Sequence, residues 1–268
     1  MESIMIKLGG SVITDINKEG VAKENEIERI FNEIKPLLKT KKIIIGHGSG
    51  SFAHVPAHKY KVNQGIINDE SVFGACVTQN AAAKLNRIVV ECALKTHLNP
   101  FSFAPSTAAL SKDGGIERWD IAPMIKALEL GFLPITYGDV IIDSSKGVCI
   151  GSTEEVFRYL AKSTKPKKII IGTDVDGIFD SDPKINHNAK LIKEVNKKNI
   201  DEIIGYAGGS TKVDVTGGMK TKIQYLYNIS KETGAICQII NLSSNNRLKS
   251  AINNEKVIGT TIDANKNI

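Results

Sequence analysis

Short apolar runs alternate with segments of helical periodicity along the chain. The runs have the length of buried strands, whereas the segments between them repeat apolar residues every three or four positions, as helices with one buried face do. Strands are predicted at residues 3–8, 41–45, 101–103, 133–140, 168–172 and 237–241. Helices are predicted at residues 24–38, 71–96, 121–130 and 152–160, and beyond residue 218. This alternation predicts an α/β fold with a mostly parallel sheet.

Length and composition are typical of a globular protein. The chain of 268 residues suffices for one large domain or two closely joined lobes, and its hydrophobic share of 41% is ordinary. No apolar run approaches the length of a membrane-spanning helix, and the N-terminus enters a strand directly, without a signal peptide. The four cysteines are widely spaced, which predicts reduced thiols. We therefore expect a cytoplasmic protein without a membrane partner.

The positive charge of the chain does not by itself indicate a nucleic-acid partner. The formal net charge is +6, but the lysines are scattered or lie at the ends of predicted elements. A basic stripe interleaved with aromatic residues, which is typical of nucleic-acid binding, does not occur in the sequence. We therefore expect a solvated surface charge that also attracts anionic small molecules, and no nucleic-acid partner.

A glycine-rich stretch follows the predicted strand at 41–45, with the sequence Gly-His-Gly-Ser-Gly-Ser-Phe-Ala-His at residues 46–54. A strand that runs into such a turn and then into a helix presents backbone N–H groups to an anion, and the helix dipole favours negative charge there. His54 could hold or protonate a phosphate bound at this turn. Another glycine turn, Gly-Gly-Ser at residues 9–11, follows the first strand, and Lys7 precedes it. We call residues 9–11 the first glycine turn and residues 46–54 the second glycine turn. Together the two turns predict a phosphate site.

Neither turn matches the two commonest phosphate-binding motifs. The chain contains no Gly-Lys dipeptide, which excludes a Walker A loop. The third glycine of a dinucleotide-binding fingerprint that starts at Gly46 would fall on Ser51. A plain turn between strand and helix, with His54 on the surface, therefore remains an alternative at this point.

The motifs of the chain resemble those of the amino acid kinase superfamily, in the same order and across essentially the whole length. They are Lys7-Leu8-Gly9-Gly10-Ser11, the turn at 46–54, Tyr137-Gly138-Asp139-Val140, Thr173-Asp174-Val175-Asp176-Gly177-Ile178 and Asp214-Val215-Thr216-Gly217-Gly218-Met219. Within this superfamily, the run that ends at His54 is similar to that of the isopentenyl phosphate kinases, and so are residues 80–86 and 133–140.

This resemblance implies a single domain over residues 1–268, an open αβα sandwich with a mostly parallel, eight-stranded sheet. The acceptor would bind over an N-terminal lobe, about 1–165, and ATP over a C-terminal lobe, about 166–268. The implied reaction converts ATP and isopentenyl phosphate to ADP and isopentenyl diphosphate, which requires positioning and charge neutralisation rather than a covalent nucleophile. Mg²⁺ would arrive with ATP, and the protein would be a homodimer.

The resemblance also implies roles for individual residues. The catalytic residues would be Lys7, His54, Asp139 and Lys222. Lys7 would bridge the transferring phosphoryl group with Asp139 orienting it, His54 would bind the acceptor's phosphate, and Lys222 would meet the phosphates of ATP. The ATP-binding residues would be Lys7, Gly9, Gly10, Ser11, Ser49, Thr173, Asp174, Gly177, Gly218 and Lys222. The acceptor would be bound by Gly48, Gly50, His54 and Gly138. Taken singly, Lys7 and Lys222 could be surface lysines and Asp139 a turn residue.

Two positions depart from the pattern of the family. A lysine held to stabilise the transition state usually follows the Ile-Thr-Asp segment, but Ile16 stands here and Lys18 comes two residues later. The usual Ser-Gly-Asp-Asp is replaced by Ser-Thr-Glu-Glu at residues 152–155. Ser152 and Glu155 have the pattern of a capping box, which we favour over a catalytic role for these acids.

Three functions compete at this stage. An isopentenyl phosphate kinase should have an apolar acceptor pocket, with a wall formed by Phe73, Val77 and Ala81. A related kinase of phosphonates such as fosfomycin would prefer a smaller and more polar pocket. A regulatory domain that binds ligands without turnover is the third candidate, because Ile16 replaces the expected lysine.

Overall fold

A computed structural model describes residues 2–183, 185–207 and 218–266. The strands in chain order are β1 (Glu2–Leu8), β2 (Lys41–His47), β3 (Pro100–Ser102), β4 (Ala109–Lys112), β5 (Gly115–Trp119), β6 (Leu133–Tyr137), β7 (Asp139–Asp143), β8 (Gly147–Gly151), β9 (Lys168–Thr173), β10 (Ile178–Phe179), β11 (Leu191–Ile192), β12 (Glu194–Val195), β13 (Ile236–Asn241) and β14 (Gly259–Ile262). The α-helices are α1 (Gly10–Ile13), α2 (Glu24–Ile34), α3 (Gly50–Lys59), α4 (Asp69–Lys95), α5 (Ala122–Glu129), α6 (Thr153–Thr164), α7 (Ile200–Ala207), α8 (Gly218–Thr233) and α9 (Arg247–Ile252).

An eight-stranded sheet in the order β12-β14-β13-β9-β1-β2-β6-β3 forms the centre of the molecule. The β13–β14 pair is antiparallel, and the other pairs of this sheet are parallel. The predicted α/β fold with a mostly parallel sheet is therefore confirmed. Since β1 lies between β2 and β9, the turns after these three strands meet at one edge of the sheet. Ligands of open α/β sheets bind at this edge.

Helices cover both faces of the sheet, as the side-chain alternation of β1 illustrates. Ile4 and Ile6 point to one core, which also contains side chains of α2, α4 and α9. Met5 points to the other core, which contains side chains of α5, α6 and α8. Successive side chains of a strand leave opposite faces of a sheet, so a strand buried on both faces reads as a continuous apolar run. The resulting architecture is the expected αβα sandwich.

A smaller sheet of four strands, in the order β5-β4-β7-β8, adjoins the central sheet. Its antiparallel pair β7–β8 is the hairpin predicted through residues 145–147. The strand predicted at 133–140 is therefore two strands, β6 and β7, which are separated at Gly138. This division carries the chain from the large sheet into the small one directly beside the site.

Several helix ends follow from local chemistry. Helix α2 ends at Ile34, before the predicted end at residue 38, and a 3-10 turn that contains Pro36 follows it. Proline has no backbone N–H and disrupts the regular helix at this point. Asn68 caps α4 and forms a reciprocal capping box with Ser71.

The helices of the described residues include none that is long and apolar enough to cross a lipid bilayer. Three of the four cysteines, Cys92, Cys149 and Cys237, are buried, whereas Cys76 is exposed. All four are free thiols, as their spacing predicts.

Candidate active site

A cavity of about 590 Å³ lies where the two glycine turns meet at the edge of the central sheet. It brings together most of the residues that the sequence singled out, although they lie up to two hundred positions apart. The predicted residues in its lining are Lys7, Gly9, Gly10, Ser11, Gly48, Ser49, Gly50, His54, Gly138, Asp139, Thr173, Asp174 and Lys222. The plain-turn alternative for residues 46–54 does not explain this convergence on one cavity.

Lys7 is held in the cavity by a buried carboxylate that the sequence analysis did not select. Its Nζ atom lies 2.6 Å from Oε1 of Glu154, in the first turn of α6. Burial alone would raise the pKa of Glu154, but the charges of Lys7 and Lys222, with the hydrogen bond from Lys7, hold that pKa below its ordinary value. Glu154 is therefore a carboxylate between two cations.

The contacts of Asp139 in the structure are with the backbone of neighbouring segments. The carboxylate of Asp139 accepts hydrogen bonds from the backbone N–H groups of Ser106 and Val140. Burial raises the pKa of Asp139, although these hydrogen bonds act in the opposite direction. Asp139 thus anchors the segment around Ser106 to β7 and contributes to the cavity wall, whereas the carboxylate in contact with Lys7 is that of Glu154.

The capping box predicted at residues 152–155 is half formed. Ser152 accepts a hydrogen bond from the backbone N–H of Glu155 and caps α6 as expected. The side chain of Glu155 does not complete the box and instead accepts hydrogen bonds from the N–H of Ile116 and from Arg158. Because the Ser152 cap fixes the start of α6, it also fixes the position of Glu154 in the cavity.

The second glycine turn is supported from below by His47. Its buried ring donates from Nδ1 to the carbonyl of Gly48 at 3.1 Å, and its Nε2 lies 3.2 Å from the side-chain amide of Asn86 on α4. Burial lowers the pKa of His47 to about 4, so the ring is neutral at physiological pH. The carbonyl of His47 accepts hydrogen bonds from Thr153 Oγ1 and from the N–H of Gly138. The sequence analysis treated His47 only as part of the loop.

The nucleotide side of the predicted site lies at the end of β9. Ser11 Oγ donates to Oδ1 of Asp174 at 3.0 Å, which links the first glycine turn to the turn after β9. Thr173 is nearly buried and its hydroxyl donates to the carbonyl of Val175. Gly177 lies outside the cavity lining. Its backbone has a φ of +156° and packs against Thr260. Helix α8 begins at Gly218, whereas the preceding motif residues 214–217 lie outside the described residues.

The apolar wall of the cavity is formed by other residues than those predicted. Its side chains are those of Ala53, Val55, Ala57, Ala82, Val140 and Ile150. The prediction of Phe73, Val77 and Ala81 was wrong, since none of these residues lines the cavity and Phe73 is 62% exposed. Helix α4 presents Thr78 and Ala82 instead, which have the same four-residue spacing with the helix turned by one position.

Lys18 does not take the place of the family lysine that Ile16 replaces in this structure. Ile16 is 66% exposed and lies at the cavity. The Lys18 side chain is 71% exposed, outside the cavity lining, with its Nζ 4.0 Å from Oδ2 of Asp15. The cavity lysines among the described residues are therefore Lys7 and Lys222.

Comparison with known proteins agrees with this geometry. The sequence profile of the Amino acid kinase family matches residues 2–241. An isopentenyl phosphate kinase of Methanothermobacter thermautotrophicus is 34% identical to the chain, and the alignment covers 97% of this chain and 98% of that protein. The isopentenyl phosphate kinase of Thermoplasma acidophilum is 30% identical, with coverage of 97% and 99%.

Solved structures extend the comparison to three dimensions. The X-ray structures of an isopentenyl phosphate kinase superpose with a TM-score of 0.83 at 30% identity, covering 97% of this chain and 99% of the other. A product complex of the Thermoplasma acidophilum enzyme gives a TM-score of 0.77 at 26% identity, with coverage of 97% and 99%. The chain belongs to the amino acid kinase family and, within it, to the isopentenyl phosphate kinases.

Proposed function

We propose that the protein transfers the terminal phosphoryl group of ATP to isopentenyl phosphate, giving ADP and isopentenyl diphosphate. One observation carries the proposal: Lys7, oriented by Glu154, lies in a cavity that has glycine turns on two sides and an apolar wall beyond them. The glycine turns suit the phosphates of both substrates, and the apolar wall suits a hydrocarbon tail.

In this reaction an oxygen of the acceptor's phosphate attacks the γ-phosphorus of ATP, and the bond from that phosphorus to the β-γ bridging oxygen breaks. Lys7 and Lys222 neutralise the charge that develops, and Glu154 holds the ammonium group of Lys7 in place while its charge attracts that of Lys222. The protein needs no covalent nucleophile, because positioning and electrostatic stabilisation supply the catalysis of phosphoryl transfer.

The acceptor's phosphate is proposed to lie on the second glycine turn. Gly50 supplies a backbone N–H group there, and Gly48, whose own N–H donates to the carbonyl of Leu8 at 3.0 Å, lines the turn without a side chain. His54 contacts a phosphate oxygen, and Gly138 lets the chain approach closely. Ser49 donates its hydroxyl proton to the carbonyl of Gly138 at 3.0 Å, which keeps this turn against the end of β6. The isoprenyl tail then extends along the apolar wall that includes Ala82.

ATP is proposed to bind across the first glycine turn, the turn after β9 and the start of α8. The donor set of the cavity fits a Mg²⁺ ion held mainly by the phosphates of ATP. Among the described residues, the one grouping of three side chains suited to a metal is Glu24, Glu28 and Cys92, and none of these lines the cavity. The carboxylates of Asp139 and Asp174 line the cavity and would complete the shell of the ion, which would shield the phosphate charges.

The predicted alternatives receive less support. A phosphonate such as fosfomycin is small and polar, whereas the wall that Ala53, Val55 and Ile150 contribute to is apolar. A domain without turnover would not need a buried ion pair that orients Lys7 towards the phosphate turns. The replacement at Ile16 remains the one feature that favours lost activity.

We propose further that the acceptor binds over the N-terminal lobe, residues 1–165, and ATP over the C-terminal lobe, residues 166–268. We also propose a cytoplasmic homodimer. Phe101 on the edge strand β3 and Phe132 are exposed and contact each other, with the half-buried Phe103 beside them, and this aromatic patch supports an interface between two copies. Light scattering of the wild type and of Phe101→Glu tests it: a dimer that dissociates in the variant supports this interface, and a monomeric wild type overturns it.

A coupled assay of ADP release with Mg-ATP tests the reaction itself. The acceptors are isopentenyl phosphate, dimethylallyl phosphate and fosfomycin, and the control variant is His54→Ala. Activity on the isoprenyl monophosphates that falls at least tenfold in the variant would support the proposal. Activity on fosfomycin alone would replace it with the phosphonate kinase, and inactivity on all three would overturn it.

A further inference from the structure

Thr14 is a buried hydroxyl that joins the two glycine turns of the site. Its Oγ1 donates to the carbonyl of Gly10 at 2.7 Å and accepts from the backbone N–H of Ser51 at 3.1 Å. Gly10 belongs to the first glycine turn, whereas Ser51 belongs to the second glycine turn, where α3 begins. One side chain, 1% exposed, therefore connects the two backbone segments that are proposed to hold the two substrates.

The two glycine turns pack so closely that the Thr14 hydroxyl fits between them in a single position. A Cβ atom at Gly10 would lie 2.6 Å from the Cα of Gly50. A Cβ atom at Gly50 would lie 2.2 Å from Oγ1 of Thr14. Gly50 also has a φ of +48°, a conformation that residues with a Cβ rarely adopt. The missing side chain of Gly50 thus leaves the space that the Thr14 hydroxyl fills.

Backbone hydrogen bonds also fix the position of Thr14. Its N–H donates to the carbonyl of Gly10 at 2.9 Å, and Thr14 forms an antiparallel bridge with Ala22. The β-branched side chain restricts rotation about χ1, which favours a single orientation of the hydroxyl. Because Oγ1 donates to Gly10, its lone pairs remain available for the N–H of Ser51.

The connection has a consequence for phosphoryl transfer. Lys7 directly precedes the first turn, and His54 lies on α3, so the Thr14 contact sets the distance between the two sides of the reaction. A backbone hydrogen bond from the N–H of Gly48 to the carbonyl of Leu8 also joins the two sides, and the Thr14 hydroxyl adds the side-chain connection that aligns the first turn with the start of α3. Transfer rates are sensitive to misplacement of the reacting groups by about 1 Å.

We propose that Thr14 is a positioning residue which fixes the in-line spacing of donor and acceptor phosphates. This inference rests on the proposed function, because it assigns one substrate to each turn. It predicts a loss in kcat that is larger than the changes in KM for ATP and for the acceptor.

The test compares Thr14→Val, which keeps the shape and removes the hydroxyl, with Thr14→Ser, which keeps the hydroxyl. Thr14→Val should lower kcat by about 10- to 100-fold with both KM values within about threefold, and Thr14→Ser should stay within about threefold of the wild type. The matched control is Thr96→Val, which removes another buried hydroxyl, one that donates to Ala93 at 2.8 Å outside the cavity lining. This control should keep the wild-type kcat.

Amide hydrogen exchange separates this inference from the proposed function. Exchange at the Ser51 N–H should accelerate about tenfold in Thr14→Val and stay unchanged in Thr14→Ser, whatever reaction the protein performs. A wild type inactive on every acceptor would refute the proposed function, and the exchange comparison would still decide whether Thr14 joins the turns. A kcat within twofold of the wild type in Thr14→Val, or equal losses in both Thr14 variants, would overturn the positioning role.

Discussion

Lys7 occupies a position where a lysine is costly without a partner. Its side chain is 12% exposed at the end of a central strand, and that of Glu154 is 7% exposed. Removing one member of such a buried pair leaves the other charge without compensation, which costs about 3–5 kcal/mol. The pair therefore holds the Lys7 ammonium in a defined place even before a substrate arrives, which is the preorganisation that electrostatic catalysis needs.

A lysine introduced at residue 16 should increase the rate. Ile16 lies at the cavity and is 66% exposed, so Ile16→Lys adds a cation beside the phosphate turns without disturbing the core. We expect kcat to rise about tenfold, because an added cation stabilises charge that develops during transfer. Steady-state kinetics measure this, with Ile16→Met as an uncharged control of similar length. An equal kcat in Ile16→Lys and Ile16→Met would show that the cation has no effect.

His47 should make the protein less stable as the pH falls. Its pKa is near 6.5 in the unfolded chain and about 4 in the folded protein, because burial opposes protonation. The unfolded state therefore binds a proton first, and between pH 7.5 and pH 5 the free energy of unfolding should fall by about 2 kcal/mol through this group.

Urea unfolding at the two pH values, with wild type and His47→Gln, measures the effect. The variant lacks the titrating ring, so its free energy of unfolding should decrease by about 2 kcal/mol less than that of the wild type over the same range. Parallel decreases in both proteins would mean that the ring of His47 is not the group responsible.

Helix α4 both supports the second glycine turn and forms part of the cavity wall. Its 27 residues, Asp69–Lys95, follow the Asn68 cap. One face places Thr78 and Ala82 in the cavity lining, and the next turn brings Asn86 under the second glycine turn through His47. The same helix therefore shapes the apolar wall and supports the phosphate turn, because residues three and four apart share a face.

A larger side chain at Ala82 should obstruct the acceptor and leave ATP binding unchanged. Ala82 is 2% exposed and lines the apolar wall, so Ala82→Leu adds three carbon atoms to the space proposed for the hydrocarbon tail. We expect the KM for isopentenyl phosphate to rise at least tenfold, with the KM for ATP within twofold. The matched control is Ala83→Leu, at the next position of α4 and outside the lining. Equal KM values in both variants would place the acceptor elsewhere.

Glu33, a buried carboxylate on α2, links the N-terminal part of the chain to helix α9 near its C-terminal end. Glu33 accepts hydrogen bonds from the backbone N–H groups of Asn246 at 3.0 Å and Lys249 at 3.4 Å, at the start of α9. Arg29 donates to Glu33 and also to the carbonyl of Leu242. Acidic groups near a helix N-terminus are favourable, and here the acid comes from a helix more than two hundred residues earlier.

Removal of this carboxylate should destabilise the whole molecule. Glu33→Ala leaves the N–H groups of Asn246 and Lys249 without their acceptor, which should lower the free energy of unfolding by about 2–4 kcal/mol. Urea denaturation measures this, with Glu26→Ala as the control. Glu26 also pairs with Arg29, but its side chain is 40% exposed, so its loss should cost no more than about 1 kcal/mol. Similar losses in the two variants would show that Glu33 does not join the molecule in this way.

The α/β architecture and the two glycine turns at the cavity were predictable from the sequence, because both depend on local patterns. Apolar runs such as residues 4–6 and 43–45 identify strands wherever they pack, and glycine turns directly after strands indicate exposed N–H groups. Most residues of the turns, together with Lys7, indeed line one cavity. The parallel order of the strands then brings these turns to one edge of the sheet.

The partners within the site were decided by the tertiary structure alone. Glu154 meets Lys7 across 147 positions of the chain, and only the docking of α6 determines that this carboxylate is the one in reach. The wall of the pocket depends on the rotation of α4 about its axis, and a turn of one residue moves Ala82 into the cavity in place of Ala81. The hydrogen bond from the N–H of Ser51 on α3 to the Thr14 hydroxyl likewise forms only because these two segments pack together. Local periodicity identifies helices and strands, whereas contacts between distant segments depend on how the elements pack together.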